Sequence, residues 1–391
     1  MGDSPSQFSL LGDLNDAFCQ QHCFAFAKCG GGYGTAPCQC AWKMSSPSYR
    51  QCNECYLVCL QRKVAARNRP IDDARNQYKA GLDWQDVALS QRSAEDFPLF
   101  IPVRTADFPD GEGVLPLRWA AADATQIIQR LLAGRTATPK FAGPQHVRAY
   151  LRVAADCRLL AVMNAQDKLL ERFWAMRDRI GQFQRLASYG FELSTGATFS
   201  VIEDTTEGTP VPRFHNLVMQ RRHLRVVSEI QQAGLAAVPN LYWFDDREEQ
   251  KWITWFTRNP TVRYVSRDFT RTRQGAALEE KLTTLAGLLD RVGRSFHVFL
   301  VGPGPAIAAQ ALRFLATHGH TGTVITSDPI LQGMKGKLYG PDFRAVPAPA
   351  KSKPDVVLEN IDLFETHLLN AVANYRVAAR ASRNLVLTSV Q

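Results

Sequence analysis

The sequence has no uninterrupted run of about eighteen apolar residues, which argues against an apolar helix crossing a membrane. Its opening, MGDSPSQFSLLGDLND, has no basic start followed by an apolar core, so no secretion signal is read there and a soluble, cytoplasmic protein with no membrane partner is expected. There is no short-period internal repeat and no Gly-x-Gly-x-x-Gly fingerprint. No cysteine follows Cys157. That absence leaves the carboxyl-terminal half without thiolate metal ligands.

What is present begins with size and charge. The chain has 391 residues, 45% of them hydrophobic, enough for one large domain and a smaller one. Lysine and arginine number 46 against 37 acidic residues, a net charge of +9 that favours an anionic partner.

Eight of the nine cysteines fall within the first sixty residues: Cys19, Cys23, Cys29, Cys38, Cys40, Cys52, Cys55 and Cys59. Without a secretion signal, disulfides explain them poorly. Their spacings, Cys-x3-Cys-x5-Cys, Cys-x-Cys and Cys-x2-Cys-x3-Cys, let several thiolates reach one soft metal centre. The interleaved Phe24, Phe26, Tyr56, Leu57 and Val58 suit the apolar shell of an iron-sulfur cluster of the [4Fe-4S] type, and two tetrahedral zinc sites remain the alternative. The order differs from the Cys-x3-Cys-x2-Cys of radical S-adenosylmethionine enzymes. Residues 1–70 are therefore read as a Cys-rich metal-binding module and 71–96 as a connector. Cys157, before an apolar strand, reads as a core residue.

From Phe97 to the end the pattern alternates. Strands are expected at 98–103, 114–122, 158–164, 189–194, 235–244, 262–269, 297–302, 323–327 and 355–360, with helix-like segments between most of them. Several of those segments end in glycine, as helices do. Alternation of this kind implies parallel βαβ units, and seven to nine strands fit an α/β fold of the (β/α)8 TIM-like barrel type over 97–391. In that fold chemistry gathers at the carboxyl ends of the strands.

Several carboxylates are expected at such ends: Glu192 in YGFEL, Asp245 and Asp246 after LYWF, Asp268 after YVSR, and Asp328 where TVITS meets Pro329. Proline cannot continue a ladder, so the strand stops at Asp328. Paired carboxylates on one rim can act as nucleophile and general acid or base on a glycosidic bond, although any one of them also suits a helix cap. Trp243 and Phe244 precede two of these carboxylates. Part of that aromatic run reads as core, and a ring at the mouth suits stacking on an extruded base. Arg221 and Arg225 share a helix face and could hold phosphates, or lie on a solvated face. Gly302 and Gly304 in VGPGP would let backbone approach a ligand at a helix amino end.

Residues 296–340 resemble the last barrel units of tRNA-guanine transglycosylases. His297-Val298-Phe299 with Gly302-Pro303-Gly304 is similar to the strand and glycine loop of that family, Ser327-Asp328 stands where its aspartate nucleophile belongs, Phe100-Ile101-Pro102-Val103 is similar to its opening strand, and Phe244-Asp245 to its base-recognising pair. The family's Asp-Ser-Gly-Gly-Phe-Gln motif and its late zinc cysteines have no counterpart. That departure, the basic charge and the added cysteine module point to superfamily relatives that exchange or excise bases in DNA. The resemblance implies a base glycosylase or transglycosylase acting on nucleic acid, with DNA the expected partner and accessory proteins possible. Asp328 would then act at C1′, Asp245 or Glu192 would hold or protonate the base, Trp243 would stack on it, and Arg221 and Arg225 would hold the backbone. Two rivals come from other classes: an iron-sulfur redox enzyme acting on a small substrate, and a non-catalytic nucleic-acid-binding protein with a structural metal cluster.

If the cysteine module is a metal site, protein purified without oxygen carries stoichiometric iron or zinc, and replacing Cys52, Cys55 or Cys59 unfolds the module outright. Elemental analysis showing neither metal would end that reading.

Overall fold

The computed structural model describes residues 86–91, 97–104, 114–124, 127, 141–165, 170, 173–174, 176, 178–199, 201, 213–270, 272, 274–340 and 343–388. The cysteines from Cys19 to Cys59, and with them the expected metal-binding module, lie outside these residues.

Eight short apolar stretches form one parallel sheet: β1 (Phe100–Arg104), β2 (Trp119–Asp123), β3 (Arg158–Val162), β4 (Phe191–Thr195), β5 (Ala236–Val238), β6 (Tyr264–Asp268), β7 (His297–Val301) and β8 (Thr321–Thr326). β1 lies between β2 and β8, so first and last strands are neighbours and the sheet curls into a barrel. The described connecting helices are α1 (Pro144–Leu151), α2 (Arg179–Ser188), α3 (Arg213–Gln232), α4 (Asp246–Arg258), α5 (Ala276–Val292), α6 (Pro305–Thr317) and α7 (Asp328–Met334). After α7 come an antiparallel pair, β9 (Lys337–Tyr339) with β10 (Ala345–Pro347), and a long closing helix, α8 (Lys353–Thr388). The expected α/β barrel is the fold.

Alternation along each strand divides the core in two. Ile101, Ala121, Leu160, Leu193, Val238, Phe299 and Ile325 face one another inside the barrel, while their neighbours meet the helices. Phe97 stops the amino-terminal end, with ring centroids 4.9 to 5.6 Å from Trp119, Tyr264, His297 and Phe299.

Two expected strands change. The run 235–244 is a strand only to Val238, because Pro239 has no N–H to offer the ladder. The run 355–360 is helical. Val357, Ile361, Phe364 and Leu368 are buried at helical spacing, a period that six residues are too few to reveal.

β5 and β6 are the two ends of the strand order, so closure depends on what joins them. Beyond β5 the backbone does so: Ser266 N donates to Pro239 O (2.8 Å) and Leu241 N to Ser266 O (2.7 Å). Toward the amino-terminal end a side chain does so. Gln91 Nε2 donates to Ala237 O (2.8 Å) and Tyr264 O (2.9 Å), and its Oε1 accepts from Arg263 N and Tyr264 N, both at 2.8 Å. Those four bonds use the full capacity of one amide. The strap carrying Gln91 is itself tied down, since Leu89 N donates to Asn259 Oδ1 (2.7 Å) and Trp255 Nε1 to Val87 O (2.8 Å). Residues 86–91, expected as part of a connector, are thus bound to the barrel wall.

Gln91→Ala is expected to cost about 2–4 kcal/mol, because it strands buried backbone groups on both strands. Gln91→Glu keeps the shape but sets carboxylate oxygen against two carbonyls, and should be comparably harmful. Urea unfolding measures both; a loss under about 0.5 kcal/mol in each would show that the seam holds without the amide.

Candidate functional site

At the carboxyl-terminal rim, interior alternation continues past the hydrophobic layers and places polar groups at the mouth. Asp123 closes β2 on the face of Ala121, and Asp268 closes β6 on the face of Tyr264. Asn164, two residues beyond β3, donates through Nδ2 to Asp268 Oδ2 at 3.0 Å. Asp268 Oδ1 accepts from Thr270 N (2.7 Å) and Thr270 Oγ1 (2.5 Å). This pair links β3 to β6 across intervening strands. Gly302, just after β7, has φ +82 and lies so close that a Cβ there would stand 2.4 Å from Thr270 Oγ1 and 2.9 Å from Thr270 Cα. Its glycine is required by conformation and by space together. Gly304 is the α6 N-cap, with open space around it.

Asp328 stands beyond the carboxyl end of β8 as the first residue of α7, half-buried at the rim as expected. Its Oδ2 accepts the Tyr339 hydroxyl at 2.5 Å and its Oδ1 accepts Gln332 Nε2 at 3.2 Å. Among the described residues it forms no ion pair. Burial first, then the hydrogen bond and charge of Asp328, push the Tyr339 phenol well above the ordinary tyrosine range, so it remains a neutral donor.

The other expected site residues lie elsewhere. Glu192 does not reach the rim: Leu159 pairs with Phe191 and Leu160 with Leu193, so Glu192 is bulged out near the amino-terminal end of β4, where it pairs with Arg158. Asp245 is the N-cap of α4, its Oδ1 accepting from Glu248 N at 3.1 Å, and Glu248 reaches back to Phe244 N at 2.9 Å in the manner of a capping box. Trp243 is only 9% exposed, with the Arg267 guanidinium 4.9 Å from its ring centroid, so that ring is packed rather than open for stacking; Phe244 is half-buried. Arg221 and Arg225 lie along α3 on the flank: Arg221 is 3.5 Å from Asp86, and Arg225, 61% exposed, is 3.4 Å from Glu229. Cys157 is buried, and burial pushes its thiol up to about 11. That suits a core residue.

Residues that sequence reading did not single out complete the rim. His223 is fully enclosed: its Nδ1 donates to Ala197 O (2.7 Å) and its Nε2 accepts Asn240 N (2.9 Å), which joins the β4 exit to the β5 exit. Gly196 makes room for it, since a Cβ there would come within 2.3 Å of the imidazole. Strand parity could have pointed to Asn164 and Asn240. Nothing local announces Tyr339 or His223.

Among the described residues no three His, Cys, Asp or Glu side chains converge as a metal set, and no helix is long and apolar enough to cross a membrane. Fold and rim together define an α/β barrel with a carboxylate-bearing mouth. Compared with known protein families and with curated proteins, the chain finds no match.

Burial lowers His223 to about 4, partly opposed by its bond to Ala197, and lowers His297 to about 4 at the barrel floor, where its nitrogens meet Thr321 and Thr323. An unfolded histidine titrates near 6.5. Because the folded values are depressed, the contribution is complete above about 6.5 and is lost as pH falls toward 4. Each histidine is expected to cost about 1–2 kcal/mol of stability at pH 5 relative to pH 7. Urea midpoints at the two pH values test this, and His297→Gln should narrow the gap; an unchanged gap would contradict it.

Proposed function

We infer that the protein is a nucleic-acid base glycosylase or transglycosylase, with DNA the expected substrate. The observation that carries this reading is Asp328: a half-buried carboxylate at the carboxyl end of a barrel strand, held by two neutral donors and free of any cation among the described residues. Each carboxylate oxygen still has acceptor capacity. A carboxylate so placed can attack C1′ of an extruded nucleotide or stabilise its oxocarbenium-like charge. In the covalent route a bond forms from Asp328 oxygen to C1′ as the glycosidic bond breaks. Its electron pair passes to the base nitrogen, which takes up a proton, and water or an incoming base then displaces Asp328. Asp268, held at the rim by Asn164 and Thr270, would hold the base in this reading, in place of Asp245 and Glu192. The net charge of +9 supports an anionic polymer as partner.

In this reading the cysteine module is a separate metal-bearing unit, iron-sulfur or zinc, outside the chemistry at the rim.

Asp328→Asn keeps the shape and removes the charge. It is expected to fold with a Tm near wild type, still bind nucleic acid, and lose base release by about two orders of magnitude or more. Abasic sites and freed base are assayed on modified and unmodified DNA and RNA. Full release by a normally folded Asp328→Asn protein would remove Asp328 from the reaction.

A further inference from the structure

We propose that Tyr339 is the positioning residue for Asp328, and that the closing helix α8 sets its place through Asn360. This rests on the reading of Asp328 as the reacting carboxylate. The two residues are eleven apart, with α7 and its tight exit between them, and their meeting depends on the β9 strand being laid back against the helix. Asn360 does this. It is fully buried, its Oδ1 accepts Tyr339 N at 2.9 Å, and its Nδ2 donates to Lys337 O at 2.8 Å and Pro329 O at 3.3 Å. One amide thus grips β9 on both sides of Leu338 and the residue directly after Asp328. The α7–α8 contact is close enough that a Cβ on Gly333 would stand 2.7 Å from Val357 Cα. Phe364, also on α8, packs within 6.3 Å of the Tyr339 ring. The phenol is therefore fixed at its backbone, at its ring and at its oxygen.

The consequence is geometric. Gln332 alone would leave the carboxylate a single tether from a neighbouring turn of a seven-residue helix. The Tyr339 hydroxyl adds a second, from a separate element, on the other oxygen. With both oxygens tethered, rotation about the Cβ–Cγ bond is arrested, which is what a nucleophile needs to meet C1′ in line. A phenol that stays protonated is a donor at every working pH.

The full chain tests this in two ways. First, with ring-labelled tyrosine, the Tyr339 resonance is assigned by its loss in Tyr339→Phe. In the wild type it should show no ionisation up to about pH 10.5, where an ordinary tyrosine is more than half ionised, and in Asp328→Asn, where the hydroxyl has lost its charged acceptor, its ring shift should differ from the wild type across the same titration. A ring shift identical to the wild type throughout the titration would overturn the pairing. Second, Tyr339→Phe should reduce kcat for base release about 10- to 100-fold with KM nearly unchanged and Tm within a few degrees, whereas Asn360→Leu should reduce both kcat and Tm. Wild-type kcat in Tyr339→Phe would overturn the positioning role. If the wild type releases no base from any nucleic acid, the glycosidic reading falls, and the tyrosine titration by itself upholds or overturns the coupling of the two side chains.

Discussion

The barrel depends on one seam. Seven of its strand contacts are parallel ladders, one of them bulged at Glu192, but β5 is three residues long and ends at a proline, so at the eighth junction the backbone bonds lie only beyond β5, at Pro239 and Leu241. Gln91 supplies the missing bonds. A primary amide can donate twice and accept twice, and here it spends that capacity across the gap between β5 and β6, while Asn259 and Trp255 hold the strap that delivers it. The rim inherits this order, because Asn240 and Ser266, which complete the same seam, lie directly below the groups at the mouth.

The two ends of the barrel are finished in different ways. At the amino-terminal floor the interior is closed by aromatic rings, with Phe97 among Trp119, Tyr264, His297 and Phe299, and Glu192 pairs there with Arg158. At the carboxyl-terminal rim the interior positions become carboxylates and amides. Parallel strands force this polarity on every residue at once, so a carboxylate's distance along its strand decides which end it serves. Glu192, second in β4, and Asp328, just beyond β8, have opposite placements for that reason.

The chain after the last barrel strand is part of the candidate site. α7 begins at Asp328, β9 returns Tyr339 to it, and Asn360 of α8 fixes both. α8 also packs on the barrel itself, with the Phe364 ring centroid 4.7 Å from that of Phe100 in β1, so the helix that frames the rim carboxylate is part of the core as well.

The sequence by itself determined the alternation, and so the barrel, because strand and helix periods are local properties of neighbouring residues. It also placed Asp328 at a strand end, since Pro329 stops the ladder whatever surrounds it. It could not separate Asp245 the cap from Asp245 the base holder, because a cap is defined by the backbone N–H it accepts. It misjudged Glu192 because a bulge arises from pairing with another strand, here Leu159 and Leu160 of β3. The joins that matter most, Gln91 to β5 and β6, His223 to Asn240, Tyr339 to Asp328, connect residues far from one another along the chain or on separate elements. Only tertiary structure decided those, since a hydrogen bond between distant groups leaves no periodic trace in the order of the residues.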